Sequence, residues 1–213
     1  IGADGPSQMA LEDLAMMRAI HGSTVLYPSD PISTAKLVEK MYGVEGVSYM
    51  RTTREKTRVI YKEDDTFEIG GSKVVRSSAD DMLTLVGAGI TLHECLKAHD
   101  ELKAQGIHVR VIDLYSIKPI DARTLTTAAR ETGTLIVVED HWPEGGMGDA
   151  VLDAFTPKGP VTRGGKVVSL DVMPKVVKIA VRDMPGSGTP EELMDAAGIT
   201  ASHIVATVKS LVS

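Results

Sequence analysis

Ile1-Gly2-Ala3-Asp4-Gly5-Pro6-Ser7-Gln8-Met9-Ala10-Leu11-Glu12-Asp13-Leu14-Ala15-Met16-Met17-Arg18 opens the chain and organises the reading of everything after it. Gly2, Gly5 and Pro6 around Asp4 predict a tight, stiff loop, and Ser7 is placed to cap a helix whose Ala10, Leu14 and Met17 share one face. Asp4 and Gln8 then stand at a loop-to-helix corner. Such a corner fixes side chains, while the free N–H groups of the first helical turn attract polar or anionic ligands. Taken alone, the corner reads first as a plain N-cap turn without a ligand.

Moving outward, Gly22-Ser23 breaks the pattern and Thr24-Val25-Leu26-Tyr27 predicts a short buried strand. Pro28-Ser29-Asp30-Pro31 turns the chain into a helix from Ser33 to Met41, with Ala35, Val38 and Met41 on one face and Gly43 as its stop. Val47-Ser48-Tyr49-Met50 is the next strand. Strand, helix and strand with short links form a βαβ unit, hence parallel pairing with a right-handed crossover. Arg51-Thr52-Thr53-Arg54 follows at the carboxyl end of that strand, with Lys56, Arg58 and Lys62 close behind. Open α/β sheets bind ligands beyond the carboxyl ends of their strands, so a guanidinium here suits an anion; a solvated basic face is the alternative.

The acidic turn Glu63-Asp64-Asp65 separates this unit from Phe67 to Val75, read as linker and hairpin. Beyond it the α/β period resumes. Strands are expected at Met82–Val86, Val109–Asp113, Thr134–Val138 and Val167–Leu170, and helices at Leu92–Leu102, Asp121–Arg130, Met147–Phe155, Pro190–Ala197 and Ala201–Val212. That alternation predicts a second, mostly parallel sheet covered on both faces.

A net charge of −6 over 213 residues argues against general nucleic-acid binding, without excluding a small anion held by a local basic cluster. No apolar run approaches the ~20 residues of a membrane helix. Cys95 is the only cysteine, which excludes an internal disulfide and suits a reducing cytoplasm. Starting on Ile1 without a leader, the chain is expected to be a piece of something longer.

Gly87-Ala88-Gly89 resembles a dinucleotide turn, but position 92 is Leu, so a tight packing turn is the better reading. Glu139-Asp140-His141-Trp142-Pro143-Glu144-Gly145-Gly146 crowds carboxylates and an imidazole at a strand end, as an acid/base pair or metal site would. With no second His or Cys at ligand spacing, a structural or interface loop is expected. Cys95 and His99, four residues apart, supply only two metal ligands and read as a partly buried thiol beside a surface histidine. Met9, Met16, Met17, Met41 and Met50 read as core filler.

Gly2 to Arg18 resembles the loop and helix that transketolases, in their animal-type branch, carry in the pyrimidine-binding domain. The likeness continues through Tyr27-Pro28-Ser29-Asp30, Arg51-Thr52-Thr53-Arg54, Gly87 to Glu94 and Val138-Glu139-Asp140-His141, and so covers nearly the whole chain. It implies an α/β protein: residues 1–66 as the second half of a pyrimidine-binding domain, 67–81 as linker or hairpin, and 82–213 as a mostly parallel three-layer α/β/α carboxy-terminal domain. The implied reaction is thiamine diphosphate-dependent transfer of a two-carbon ketol unit from a ketose phosphate to an aldose phosphate. By resemblance Asp4 binds a donor-sugar hydroxyl, Arg54 the sugar phosphate, and Gln8 the cofactor's aminopyrimidine. The activating glutamate and the ligands for magnesium and diphosphate have no counterpart, so the chain alone is expected to be inactive and to need a homodimer or a missing N-terminal portion. Residues Ile1–Lys62 are accordingly expected to be poorly ordered or buried against a second copy. A deoxyxylulose-phosphate synthase, a 2-oxoacid dehydrogenase β subunit and a non-catalytic assembly module remain alternatives.

Overall fold

The computed structural model describes residues 5–6, 9–54, 56–156 and 173–212, together with the backbone alone of 162–163 and 166–167. In chain order the elements are α1 (Asp13–Ala19), β1 (Thr24–Leu26), α2 (Pro31–Tyr42), β2 (Ser48–Met50), β3 (Lys73–Arg76), β4 (Thr84–Gly87) and α3 (Ile90–Ala104). They continue with β5 (Arg110–Asp113), β6 (Ser116–Lys118), α4 (Ala122–Thr132), β7 (Thr134–Glu139), α5 (Met147–Ala154), β8 (Thr162–Arg163), β9 (Lys166–Val167), β10 (Lys175–Ala180), α6 (Pro190–Ala196) and α7 (Ala201–Val212).

Five strands form the main sheet in the order β10-β7-β4-β5-β3, parallel except for β3, which runs antiparallel to β5 at the edge. Its interior strands are apolar on both faces, as a sheet covered by helices on both sides requires. The period of two divides them between two cores. Leu85, Val111, Ile136 and Val138 pack under α3, α6 and α7. Val86, Ile112, Leu135 and Val137 pack under α4 and α5, where they also meet Leu14, Val25 and Tyr27 from the start of the chain. This is the three-layer α/β/α arrangement.

A smaller sheet, β2-β1-β6, is parallel between β1 and β2 and antiparallel between β1 and β6. The βαβ unit expected from sequence is therefore present. Its β1 gains a hydrogen-bonded neighbour from beyond residue 82, and its apolar face shares the core of the main sheet. Within the described residues the first segment is not left with an open β1 edge, since β1 pairs with β2 on one side and β6 on the other.

Asp121 caps α4 as expected, accepting from the Thr124 N–H at 3.0 Å, while α2 starts at Pro31, two residues before the expected Ser33, because Asp30 caps it, accepting from the Ser33 N–H at 2.7 Å. Elsewhere the structure departs from the sequence reading. α1 begins at Asp13, not beside Ser7, which lies outside the described residues. Long-range donors claim the carbonyls before it: Arg51 binds the Ala10 oxygen and the Trp142 N–H the Leu11 oxygen, so neither closes a helical turn. The buried stripe of α2 runs through Ser33 and Leu37 with Ile32 and Met41 beside it, while Val38 points to solvent. Residues 67–76 form no hairpin; β3 adds to β5 instead. The fourth parallel strand is β10, whereas Lys166–Val167 pairs antiparallel with Thr162–Arg163, and 168–170 lie outside the described residues. Met16 is exposed, and Cys95 is fully buried with His99 nearly so.

Candidate functional site

Four strands point their carboxyl ends at one place. Tyr27 follows β1, Arg51 follows β2, Ala88 to Ile90 follow β4 and Asp140 follows β7, around a cavity of about 350 Å³. Thr52, Thr53 and Arg54 line one side, and Leu11, Ile90, Val181, Leu193 and Met194 form an apolar wall. This is where open α/β sheets place ligands.

Arg51 is the buried node of the site. Its guanidinium donates to Asp140 Oδ1 at 3.2 Å and to the Asp140 carbonyl at 3.0 Å, and reaches the Ala10 carbonyl at 2.6 Å. Nε lies 3.3 Å from Asp13 Oδ2, and the cation sits 5.0 Å from the Tyr27 ring centroid. Tyr27 donates its hydroxyl to Asp140 Oδ2 at 2.9 Å, and Tyr49 donates to Asp13 Oδ2 at 2.6 Å. Burial opposes the charge on Arg51, but Asp140 and Asp13 outweigh it and raise its pKa. Burial and then Asp140 push the Tyr27 phenol well up, and burial and then the Asp13 bond push Tyr49 up to about 12. Arg51 is therefore a fixed cation held by four contacts inside the protein. Asp13 Oδ1 has no hydrogen-bond partner among the described residues.

The Glu139–Gly148 loop holds this arrangement from below. Glu139 Oε2 accepts the Gly148 N–H at 3.2 Å at the start of α5, and burial raises the Glu139 pKa to about 7. His141 Nε2 accepts the Ala15 N–H at 3.3 Å while Nδ1 donates to the Trp142 carbonyl at 2.7 Å, which fixes a neutral tautomer. Trp142 donates from its indole to Glu12 at 2.8 Å, and Arg18 donates to the Gly146 carbonyl at 2.8 Å. A Cβ on Gly146 would stand 2.2 Å from Glu139 Oε2, so the loop closes only around glycine. The loop docks α1 through His141, Trp142 and the Gly146 carbonyl, while Glu139 braces the start of α5 and Asp140 holds Arg51 and Tyr27.

The far end of the Arg51–Lys62 segment is tied as firmly. Asp30 Oδ2 accepts the N–H groups of Ile60 and Tyr61 at 2.8 and 3.0 Å, and Asp113 accepts from the hydroxyls of Tyr61 and Ser29 at 2.6 and 2.8 Å. Burial raises Asp113 to about 7 against those two bonds. Gly89 lets the β4 turn pass under Tyr27, since a Cβ there would stand 2.0 Å from the ring. The tight packing turn read from Gly87-Ala88-Gly89 is what the structure has.

Of the residues singled out from sequence, Arg54 is exposed at the rim of the cavity, and Asp4 and Gln8 lie outside the described residues. Sequence reasoning weighs Asp140 only as part of the Glu139–Gly146 loop and gives no role to Asp13 or Tyr49. Their only local signal is a charged or phenolic residue at a strand end or inside an apolar helix face, and the partners are far off in sequence. Chemically, a guanidinium and two threonines at the mouth of a half-apolar cavity suit an anionic, hydroxylated ligand. Among the described residues no group of three or more His, Cys, Asp or Glu side chains is arranged to hold a metal, and no helix is long and apolar enough to cross a membrane.

Residues 71–204 match the family described as transketolase, C-terminal domain, and residues 1–59 match transketolase, pyrimidine binding domain. The chain is 50% identical over 213 residues to transketolase-like protein 2 of Mus musculus, covering all of this chain and 32% of that protein. It is 44% identical over 214 residues to transketolase of Mus musculus, again covering 32% of it. Among solved structures, a split gene transketolase described as an inactive β4 tetramer superposes with a TM-score of 0.82 at 34% identity, over 98% of this chain and 63% of that one. The chain thus spans about a third of the length of the curated relatives it matches. With both family descriptions falling on the two sheets that frame the cavity, the chain belongs to the transketolase family.

Proposed function

We propose that this chain is the substrate-orienting third of a thiamine diphosphate-dependent transketolase, transferring a two-carbon ketol unit from a ketose phosphate to an aldose phosphate. The observation that carries the reading is the position of Arg54: exposed, at the rim of a cavity framed by four strand ends, and three residues beyond a buried Arg51 that anchors its loop. In this reading Arg54 holds the sugar phosphate through a charge-assisted contact, Asp4 a donor hydroxyl, and Gln8 the aminopyrimidine edge. Thiamine diphosphate, when bound in the intact enzyme, supplies the carbanion chemistry.

The residues present fit one part of the ligand set and not the other. The basic rim and apolar wall suit a sugar phosphate beside an aromatic ring, whereas the described residues offer no metal cluster. In this reading the cofactor's diphosphate and its magnesium are held by an N-terminal portion or by a partner subunit in a dimer. The division near residues 67–81 belongs to the same reading.

The absence of activity in the chain by itself is part of the same reading, and its likeness to a split gene transketolase whose β4 tetramer is described as inactive supports it. One assay tests both. Ketol transfer is measured for the intact protein and for this chain alone, each with thiamine diphosphate and magnesium. Transfer by the intact protein and none by the chain supports the proposal. Transfer by the chain alone, or none by the intact protein, contradicts it.

A further inference from the structure

The loop that carries Arg54 has its support in a distant part of the chain. Arg51 leads directly into Thr52-Thr53-Arg54, and its guanidinium also grips the Ala10 carbonyl at 2.6 Å. What orients that guanidinium is Asp140, at the end of β7, through its side chain at 3.2 Å and its carbonyl at 3.0 Å. Asp140 is itself aimed by the Tyr27 hydroxyl at 2.9 Å and is 6% exposed, so it has no room to choose another rotamer. Its neighbours grip the same region, His141 through the α1 backbone and Trp142 through the Leu11 carbonyl at 3.2 Å.

We propose that Asp140 is a positioning residue for the sugar-phosphate site, acting through Arg51 to set where Arg54 stands. This rests on the reading of Arg54 as the phosphate-binding residue. It gives the carboxy-terminal sheet a part in substrate recognition without any contact of its own with the sugar. The physical basis is that Arg51 spends its planar, rigid fork on Asp140, Asp13 and the Ala10 carbonyl. With the Asp140 charge removed, the ion pair with Asp13 is the charge–charge contact that remains, and the guanidinium turns toward Asp13. The backbone from Arg51 to Arg54 moves with it. A displacement on the order of 1 Å of a positioning group is enough to cost roughly 100-fold in rate.

The experiment is a kinetic cycle in the intact enzyme with Asp140→Asn, Arg54→Ala and the double variant, each assayed with a phosphorylated and an unphosphorylated ketose donor. Asp140→Asn keeps the shape and removes the charge. The expected result is an increase of about tenfold in KM for the phosphorylated donor, with the unphosphorylated donor within about twofold. In the Arg54→Ala background, Asp140→Asn should no longer discriminate between the donors. A purely structural role would lower activity on both donors alike, or would discriminate equally with and without Arg54, and either outcome overturns the proposal. The single Arg54→Ala variant keeps the two claims apart: if it fails to discriminate, the reading of Arg54 falls, whereas its success alongside a non-discriminating Asp140→Asn sinks only the positioning role. Should Asp140→Asn fail to fold, Tyr27→Phe carries the test, since it removes only the hydroxyl that aims Asp140. A rise of about two- to fivefold in KM for the phosphorylated donor alone is then expected, and no selective rise refutes the inference.

Discussion

The carboxylate of Asp30 accepts the backbone N–H of Tyr61 at 3.0 Å across 31 residues of sequence, while its other oxygen caps α2 at Ser33. One buried side chain thus fixes both the start of a helix and the return of the segment that carries Arg54. Burial works against its charge, but the bonds from Tyr61, Ser33 and Ile60 prevail and lower its pKa.

Asp30→Ala removes a helix cap and leaves the N–H groups of Ile60 and Tyr61 buried without acceptors. We expect a loss of about 2–4 kcal/mol in denaturant unfolding, against less than about 0.5 kcal/mol for exposed Glu63→Ala. Equal midpoints for the two variants would show that the Asp30 bonds contribute nothing. Because its folded pKa is depressed, the contribution of Asp30 is complete above the ordinary carboxylate range and fades only in acid, as pH falls through the lowered value.

Asp113 and Glu139 have the opposite sign. Burial raises both to about 7, so between about pH 4 and 7 the folded chain binds protons that the unfolded chain has released. Their contribution favours folding at the acid end of that window and is lost as pH rises through about 7. Each group contributes a slope of up to about 1.4 kcal/mol per pH unit. Asp113→Asn should flatten the stability profile between pH 5 and 7 by about one proton's worth relative to the parent, measured by urea unfolding at several pH values. An unchanged slope would show that Asp113 titrates normally in the folded chain.

Gly89 and Gly106 both have positive φ, 54° and 77°, but only Gly89 is crowded: a methyl group added there would stand 2.0 Å from the Tyr27 ring, whereas at Gly106 it would meet nothing within 4 Å. Gly106→Ala should cost about 1 kcal/mol from backbone strain alone. Gly89→Ala must also displace Tyr27 from Asp140, and we expect a loss of more than about 3 kcal/mol. Thermal melting of the two variants decides the matter, and similar melting temperatures would contradict the packing described here.

What is legible in the sequence follows the range of the forces involved. The strand at Thr134 and the helix through Leu92 announce themselves, because their apolar patterns are local. β6 carries no such mark: Ser116-Ile117-Lys118 is three residues long, stands before Pro119, and becomes a strand only by pairing with β1, far away in the chain. β10 is obscured for a similar reason. Its Lys175 and Lys178 interrupt the apolar run, while Val167-Val168 just upstream offers a stronger local pattern. At the site, the Arg51-Thr52-Thr53-Arg54 run at a strand end points to anion chemistry, and the structure puts Arg54 at the cavity rim. The division of labour between the two arginines is not readable, because what converts Arg51 from a ligand group to a support is Asp140, 89 residues on. Tertiary pairing of charges leaves no local trace.

The most direct test of the central claim is the KM of the intact enzyme for a ketose phosphate and for its unphosphorylated analogue, before and after Arg54→Ala. Loss of a charge-assisted contact predicts a rise of roughly ten- to a hundredfold for the phosphorylated donor and a change within about twofold for the other. Equal losses on both donors would contradict the assignment of Arg54 to the sugar phosphate.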